Sequence, residues 1–291
     1  MGGHTDLNLS HFLNISIITV NRNNAPGLRK TIESVITQTT PPFEFIIIDG
    51  GSTDESVSII QERAGSFTFW VSEPDDGIYN AMNKGTRMAH GEWCLFINSG
   101  DTFASPTVLE QIQNSGASAD LICGNTILLD NPPRRETPPS EITLNYMFNN
   151  ALCHQSVLIR RNLLEKYPYD ESLKIVADRK FFLQTLIINN ASYQTIDIDI
   201  SNYDMTGISS TQKVTRELEY ASVLESMLPP RIRQDYGRQI VGSLYGDTLY
   251  EKMFAEIGRR NWRTPIYHLV RGLLLCLAPF EKRARFIRDI K

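Results

Sequence analysis

Two aspartates in this chain stand directly after apolar segments, where a carboxylate could serve a ligand. Asp49 ends the run of residues 43–48, and Asp101 follows residues 93–97 after the short turn 98–100. Runs of this kind predict buried strands, whose carboxyl ends form the ligand-binding edge of an open α/β sheet. A carboxylate there can hold a divalent cation together with phosphate oxygens, or accept a hydrogen bond from a nucleobase N–H. Each aspartate alone is equally typical of an ordinary turn.

Alternating strand and helix signals predict the elements that position these carboxylates. Strands are predicted at residues 15–20, 43–48, 67–71 and 93–97; the helices between them are predicted to start near Pro26, at a capping box of Ser52 and Glu55, and near residue 77. This β-α-β-α-β-α-β order predicts an α/β fold with a mostly parallel, Rossmann-like sheet that carries helices on both faces.

The strict alternation ends after residue 128. The second half is predicted to contain strands at 121–128, 157–159 and 193–200, a helix at 178–188, and helices from about residue 213 onward. Residues 131–140 hold four prolines and are predicted to form an exposed loop. We therefore divide the chain into a catalytic domain, residues 1–212, and a helical C-terminal region, residues 213–291. The boundary between the two halves of the catalytic domain is placed near residue 104.

Composition excludes several classes of protein. The chain has 291 residues, 41% of them hydrophobic, and a net charge of −4, which argues against a nucleic-acid-binding protein. Its four cysteines are scattered without the spacing of a zinc site or a disulfide framework, and Cys94 and Cys123 are predicted to be core thiols. The polar N-terminus lacks a signal core, and no apolar run is long enough to span a membrane, so a cytoplasmic location is expected.

The last 33 residues have a different charge from the rest of the chain. Residues 259–291 contain nine Lys or Arg and two Asp or Glu around the largely apolar stretch 266–280. This composition suits a helix that lies on an anionic membrane surface, such as the inner face of the cytoplasmic membrane. A helix packed on the catalytic domain or on another subunit is the alternative.

An ordered series of short motifs connects these segments. The series resembles the nucleotide-sugar half of glycosyltransferase family 2, which contains inverting enzymes with a GT-A fold, and the resemblance covers about residues 14–210. Its nearest likeness is to enzymes of bacterial capsule, exopolysaccharide and colanic-acid synthesis. The motifs that carry it are Ser16 to Asn21, Ile48 to Asp54, Asp76 to Gly85, Gly91 to Trp93, and Asn98 to Asp101.

The resemblance implies a role for individual residues. Asp101 would bind the metal, Mg²⁺ or Mn²⁺, although the motif here keeps one carboxylate where relatives often have three. Gly50 stands where many relatives have a second aspartate, and Met82 where many have arginine. The nucleotide sugar would be bound by Thr19, Val20, Asn21, Asp49, Asp76, Asn83, Gly85 and Ser99, with Asp49 on the base.

The second half must supply the catalytic base of an inverting transfer. The resemblance points to Asp178, whereas the residues alone are equally consistent with an aspartate that caps the following helix. His154 and Gln155 are candidates for contacts with the acceptor or the diphosphate, and a histidine beside a strand is otherwise a structural residue. Residues 203–210 are predicted to form a loop that closes over the donor or simply connects two elements.

We therefore predict a metal-dependent, inverting hexosyltransferase. It would move a sugar from a nucleotide-diphosphate sugar to a glycan acceptor, such as a polyprenyl-linked sugar, in bacterial surface polysaccharide synthesis. A nucleotidyltransferase of similar fold and a non-catalytic protein that binds nucleotide sugars are the alternatives. A dinucleotide oxidoreductase is disfavoured because the first strand-to-helix turn, residues 21–27, lacks the GxGxxG pattern.

Overall fold

The structure is a computed structural model that describes residues 13–207 and 211–235. Its strands in this part of the chain are β1 (Ile15–Asn21), β2 (Glu44–Asp49), β3 (Phe69–Ser72), β4 (Trp93–Phe96), β5 (Thr102–Phe103), β6 (Leu121–Leu128), β7 (Arg134–Glu136), β8 (Val157–Arg160) and β9 (Tyr193–Tyr203). They form one sheet in the order β3-β2-β1-β4-β8-β6-β9-β5, with β7 paired to β6. The fold is therefore α/β, as predicted.

Helices connect or flank these strands. They are α1 (Ala25–Ile36), α2 (Ser56–Glu62), α3 (Ile78–Met88), α4 (Val108–Asn114), α5 (Leu144–Asn149), α6 (Arg161–Lys166), α7 (Ala177–Phe182), α8 (Lys213–Met227) and α9 (Pro230–Asp235). Short 3₁₀ turns occur at Ala64–Ser66 and His154–Ser156, and α7 continues as one π-helical segment, Leu183–Ile188. The predicted helix at 178–188 is therefore present but changes its hydrogen-bond pattern halfway.

The first four strands are mutually parallel, and β1 lies between β2 and β4. Every residue of β1, β2 and β4 is buried, which explains why these strands are rich in apolar residues and show no strict apolar-polar alternation. The first strand-helix repeat agrees with the prediction down to Pro26 in the first turn of α1. The predicted capping box is wrong: α2 begins at Ser56 after Glu55 without a side-chain cap, because Ser52 instead bonds to Asp49.

The second half of the sheet is mixed. β8 is antiparallel to β4 and β6, whereas β9 is parallel to β6. The sheet is thus less parallel than the regular alternation suggested, because β8 runs antiparallel to both of its neighbours, β4 and β6. Sequence analysis did not predict the two-residue β5 or the short helices α4, α5 and α6. The four-proline loop contains the exposed edge strand β7.

The core lies on both faces of β1, β2 and β4. Trp93, Phe96 and the isoleucines of β1 and β2 are completely buried, and Cys94 and Cys123 lie among them. Burial raises the pKa of Cys94 to about 12, so this thiol stays neutral at physiological pH. Cys94 and Cys123 are therefore core thiols, as predicted. Cys276, the cysteine of the C-terminal region, lies outside the described residues.

The chain divides into two compact units, Met1–Pro229 and Pro230–Lys291. The first unit includes α8, which the sequence assigns to the C-terminal region; Tyr220 of α8 is buried and its hydroxyl donates to Met147 O at 2.6 Å. Of the second unit, the structure describes α9 alone. The basic segment 259–291 lies outside the described residues. Within the described residues, no helix combines the length and apolar character needed to cross a bilayer.

Candidate active site

The carboxyl ends of β1, β2 and β4 meet at one edge of the sheet, and polar residues follow each strand there. Asp49, the last residue of β2, is completely buried and accepts four hydrogen bonds. The donors are the Ser52 amide and hydroxyl (2.9 and 2.6 Å), the Ser72 hydroxyl (2.6 Å) and the Asn21 side-chain amide (2.7 Å). Burial alone would raise the pKa of Asp49, but these hydrogen bonds outweigh it and hold the pKa below its ordinary value.

Residues 19–21 of β1 are fixed by neighbouring strands and turns. The Thr19 hydroxyl donates to Ile97 O at 2.7 Å, and Val20 O accepts from the Ser99 amide at 3.1 Å. Asn21 is 95% buried, and its Oδ1 atom has no hydrogen-bond partner. Of these three predicted nucleotide contacts, Asn21 is therefore the one whose side chain keeps an unused acceptor.

The turn after β4 holds Asp101 against the start of α1. Gly100 has φ +107°, a conformation that a side chain would strain, so glycine is needed at this position. The Thr31 hydroxyl in α1 donates to Asp101 O at 2.7 Å and accepts from the Gly100 amide at 3.0 Å. Ser99 is held by Asn24, whose side-chain amide donates to Ser99 O at 3.1 Å. The turn is thus rigid before any ligand arrives.

Asp101 itself is 96% buried, and few hydrogen-bond donors reach its carboxylate. Gln155 Nε2 donates to Oδ2 at 3.1 Å, and the Asp204 amide donates to Oδ1 at 2.9 Å. Burial raises the pKa of Asp101 to about 6 despite these two bonds, and the nearby Asp204 carboxylate adds to the rise. The desolvated Asp101 carboxylate therefore has the carboxylate of the partly exposed Asp204 nearby, an arrangement that a cation would stabilise.

A second polar cluster joins the three predicted residues His154, Gln155 and Asp178 to this turn. His154 Nδ1 lies 3.0 Å from Asp178 Oδ2, and His154 Nε2 lies 3.1 Å from Asn98 Nδ2. Asp178 Oδ1 also accepts from the Arg179 amide at 2.8 Å. Gln155, the chain neighbour of His154, donates to Asp101, so the turn at residues 154–155 contacts both the candidate base and the candidate metal ligand.

Three other residues that were predicted to bind the nucleotide sugar have different surroundings. Asp76 is exposed in the turn before α3, and no hydrogen bond to its carboxylate was found among the described residues. Asn83 is buried and binds the backbone of Tyr169 through both side-chain atoms. Gly85 lies where α3 crosses the sheet, and an added Cβ would be 2.5 Å from Ile18 Cγ2. Packing and loop anchoring therefore account for Asn83 and Gly85 without a ligand.

The structure also shows what replaces two residues that relatives often carry. A Cβ on Gly50 would lie 2.9 Å from Asp75 Oδ2, so the Asp75 carboxylate fills the space beside this glycine. Lys84 of α3 binds Asp75 at 2.6 Å. Met82 is completely buried, so its side chain belongs to the core. Asp75 was not predicted from the sequence, where its one available signal was the acidic pair with Asp76. Asp204 falls in the predicted loop 203–210, but its place beside Asp101 was not predicted.

Comparisons with known proteins identify the family of this chain. The family model described as glycosyl transferase family 2 matches residues 16–168. The chain belongs to this family. An uncharacterized glycosyltransferase of Mycobacterium tuberculosis is 29% identical over 258 residues, which cover 84% of this chain and 98% of the relative. A PGL/p-HBAD biosynthesis glycosyltransferase of Mycobacterium bovis is 27% identical over 209 residues, 69% of this chain and 81% of the relative.

Solved structures show the same fold. Residues 1–349 of S. aureus TarS, in complex with UDP-GlcNAc, match with a TM-score of 0.60 and 17% identity over 80% of this chain and 73% of that one. The mannosyltransferase PcManGT from Pyrobaculum calidifontis, in complex with GDP-Man and Mn²⁺, matches with a TM-score of 0.58 and 12% identity over 96% of this chain and 80% of that one. This family-2 glycosyltransferase therefore has the GT-A fold that its motifs implied.

Proposed function

We propose that this glycosyltransferase is a metal-dependent, inverting enzyme that uses a nucleotide-diphosphate sugar. The observation that carries the proposal is Asp101, a buried carboxylate whose pKa is raised to about 6 at the carboxyl end of β4. A carboxylate in this state is stabilised by a divalent cation, and the donor's diphosphate would supply the remaining oxygens. The TarS complex with UDP-GlcNAc and the PcManGT complex with GDP-Man support this class of donor.

The residues beside Asp101 fit Mg²⁺ or Mn²⁺. Both ions prefer carboxylate and phosphate oxygens, and Asp101 and Asp204 provide two carboxylates. A Cβ at Gly100 would lie 3.2 Å from Asp204 Oδ2, so the Asp204 side chain covers the turn that carries Asp101. The described residues contain no group of three His, Cys, Asp or Glu that could hold a metal alone. The bound ion would stabilise negative charge on the departing diphosphate.

Donor binding is assigned to the edge formed by β1, β2 and the turn 98–101. Asn21 would offer its unused Oδ1 to the nucleotide, and Asp49 would keep Asn21 and Ser52 in place while facing the base. Asp76 and Ser99 would line the diphosphate and sugar. Asn83 and Gly85 would act at this site by shaping α3 and the segment that it anchors.

The acceptor hydroxyl must lose a proton as it attacks the anomeric carbon. We assign this to the pair formed by Asp178 and His154, which lie in the acceptor half and are mostly buried, with side-chain exposures of 15% and 13%. A carboxylate and an imidazole are both suitable general bases. Gln155, which donates to Asp101, would keep this carboxylate in place beside the pair.

The acceptor is proposed to be a glycan on a lipid carrier. The relatives named for PGL/p-HBAD biosynthesis support a role in a biosynthetic glycosylation. The segment 259–291, with basic residues around an apolar stretch, has a composition that suits peripheral contact with an anionic membrane. The enzyme would then work at the inner face of the cytoplasmic membrane. The predicted loop 203–210, of which residues 208–210 lie outside the described part of the chain, would close over the donor. Its proximity to the site is supported by the Asp204 amide, which donates to Asp101.

A panel of nucleotide sugars with and without Mn²⁺ tests the donor class. Thermal unfolding is measured for each pair, because a ligand that binds the folded state raises stability by RT ln(1 + [L]/Kd). We expect stabilisation by one nucleotide sugar that requires Mn²⁺, and its loss in Asp101→Ala. Pyrophosphate release from a nucleoside triphosphate would instead indicate a nucleotidyltransferase. Donor binding without hydrolysis or transfer would indicate a non-catalytic binding protein.

A further inference from the structure

Asn98, His154 and Asp178 form a linear hydrogen-bonded row at the acceptor side of the site. The imidazole of His154 lies in the middle, with Nδ1 3.0 Å from Asp178 Oδ2 and Nε2 3.1 Å from Asn98 Nδ2. Asn98 and His154 come from separate parts of the chain, the turn after β4 and the turn before β8. The row therefore depends on the tertiary fold and is not a local turn motif.

The carboxylate of Asp178 is poorly suited to accept another proton. Its Oδ1 accepts from the Tyr79 hydroxyl at 3.2 Å and from the Arg179 amide at 2.8 Å, and its Oδ2 faces His154. Burial would raise the pKa of Asp178, but the contacts with His154 and Arg179 outweigh it and hold the pKa below its ordinary value. Both oxygens are thus engaged, and a carboxylate bonded in this way is a weak base.

The partners of His154 indicate its tautomer. Asp178 is an ionised acceptor, so the proton of a neutral imidazole lies on Nδ1, and Nε2 carries the lone pair that accepts from the Asn98 amide. A histidine that removes a proton from a hydroxyl is often oriented by a carboxylate on its other nitrogen, as His154 is here. Here Nε2 is the nitrogen on the side of the turn that carries Asp101.

We propose that His154 Nε2 receives the proton of the acceptor hydroxyl and that Asp178 is the positioning residue that holds the imidazole. This inference rests on the glycosyl transfer proposed above. The acceptor oxygen forms a bond to the anomeric carbon, and the bond from that carbon to the diphosphate oxygen breaks with its electron pair on the diphosphate. The hydroxyl proton moves to Nε2, and the imidazolium is balanced by the Asp178 carboxylate.

Asn98 gives this step a further component. Its Oδ1 is buried without a hydrogen-bond partner. In the resting enzyme the Asn98 amide donates to Nε2, where the acceptor hydroxyl would replace it. When Nε2 becomes protonated, a half-turn of the amide brings Oδ1 to Nε2–H as an acceptor. Asn98 can therefore bind both protonation states of His154, and its unpartnered oxygen is accounted for.

Nitrogen NMR of the full chain labelled with ¹⁵N-histidine tests the tautomer without any donor. His154 is assigned by the loss of its signal in His154→Gln, and His90, which makes a similar contact with Glu44 at 2.8 Å, serves as the matched reference. At pH 8 we expect His154 to carry its proton on Nδ1, and Asp178→Asn to shift the proton toward Nε2. A wild-type His154 protonated on Nε2 overturns the proposal.

Chemical rescue tests the proton transfer itself. The probe is release of nucleotide diphosphate from UDP-GlcNAc or GDP-Man with Mn²⁺. We expect His154→Ala to retain less than a hundredth of wild-type release and to regain at least tenfold with imidazole, but not with pyrazole, a ring of the same size and far weaker basicity. His90→Ala should match the wild type.

The two arms separate failure of the inference from failure of the proposed function. Equal rescue by pyrazole, or more than a tenth of wild-type release in His154→Ala, would show that His154 is structural and leave Asp178 as the base. A wild-type protein that releases no nucleotide from either donor contradicts the proposed function with these donors, while the NMR result still decides which nitrogen of His154 is free.

Discussion

Asp49 ends β2 and Asp101 follows β4, the two strands that flank β1 in the sheet. Both aspartates are buried, yet their pKa values are shifted in opposite directions. Four hydrogen bonds from Ser52, Ser72 and Asn21 lower the pKa of Asp49. Two hydrogen bonds reach Asp101, and burial raises its pKa to about 6. Two aspartates at the same edge of the sheet thus differ in their hydrogen bonding. Asp49 is the satisfied form, with four donors to its carboxylate, and Asp101 is the unsatisfied form, with two.

The number of donors explains the difference and suggests separate roles. A buried carboxylate stays ionised at low cost when donors surround both oxygens, so Asp49 organises the end of β2 through the fold itself. Asp101 is left to be neutralised by a proton or a cation. We infer that the Asp49 cluster is a preformed floor for the nucleotide, whereas the Asp101 cluster is completed by the donor and its metal ion.

The largest expected effect is on catalysis, from Asp101→Asn. Loss of the charge that holds the cation should lower transfer about 100-fold to 1,000-fold, while the melting temperature without ligand stays equal or rises, because a desolvated charge is removed. Activity with Mn²⁺ and thermal unfolding of the same samples measure both. A variant that keeps more than a tenth of wild-type activity would contradict the metal assignment.

Asp49→Asn should, in contrast, lower the stability of the ligand-free protein. Replacing a carboxylate that accepts four hydrogen bonds leaves buried donors unsatisfied, at a cost of about 3 kcal/mol in the free energy of unfolding. Urea unfolding without ligand measures this loss. Ser72→Ala, which removes one of the four donors, serves as the milder control at about 1 kcal/mol. If Asp49→Asn unfolds at the wild-type urea concentration, the satisfied form has no structural role.

Much of the first half could be predicted because burial on both faces leaves a strong signal in the sequence. β1, β2 and β4 are rich in apolar residues, and the polar residues that the motifs singled out lie at or just after their carboxyl ends. The second half could not be predicted equally well, because two-residue strands such as β5 and six-residue helices such as α5 lack enough periodicity.

The difference between the two aspartates was also hidden from the sequence. Asp204 is 103 positions from Asp101, and Ser72 is 23 positions from Asp49, so neither partner belongs to the local motif. Ser52 and Glu55 have the spacing of a capping box, but the Ser52 side chain binds Asp49 and leaves α2 uncapped. The Ser52 hydroxyl is therefore used in a tertiary contact with Asp49, and it does not cap α2 although the local spacing predicted that it would.

The pH dependence of stability separates the two aspartates again. Because the folded pKa of Asp101, about 6, lies above its unfolded value, the folded state binds more protons between pH 4 and 6. The free energy of unfolding of the cation-free protein should therefore fall as pH rises through this window, by about 2 kcal/mol from this group. Asp49, with a lowered pKa, contributes stability that is lost only as pH falls below the ordinary aspartate range.

Urea unfolding at several pH values, in the wild type and in Asp101→Asn, measures this contribution as a difference between the two proteins. The variant should lack the decrease between pH 4 and 6. Saturating donor with Mn²⁺ should also remove it from the wild type, because the cation then neutralises the carboxylate. Parallel curves for the two proteins in the absence of ligand would show that Asp101 is ionised as readily in the folded as in the unfolded chain.

Asp204→Asn should have the smallest effect and sharpens the description of the unsatisfied form. The Asp204 backbone amide, which binds Asp101, is retained, so the variant removes the second carboxylate alone. We expect the Mn²⁺ concentration for half-maximal activity to rise about tenfold, which corresponds to about 1.4 kcal/mol, with little change in maximal activity. Asp130→Asn, which removes a carboxylate paired with Arg134, is the control and should leave the Mn²⁺ requirement unchanged. An unchanged requirement in Asp204→Asn would leave Asp101 as the single protein carboxylate on the cation, with the diphosphate supplying the rest.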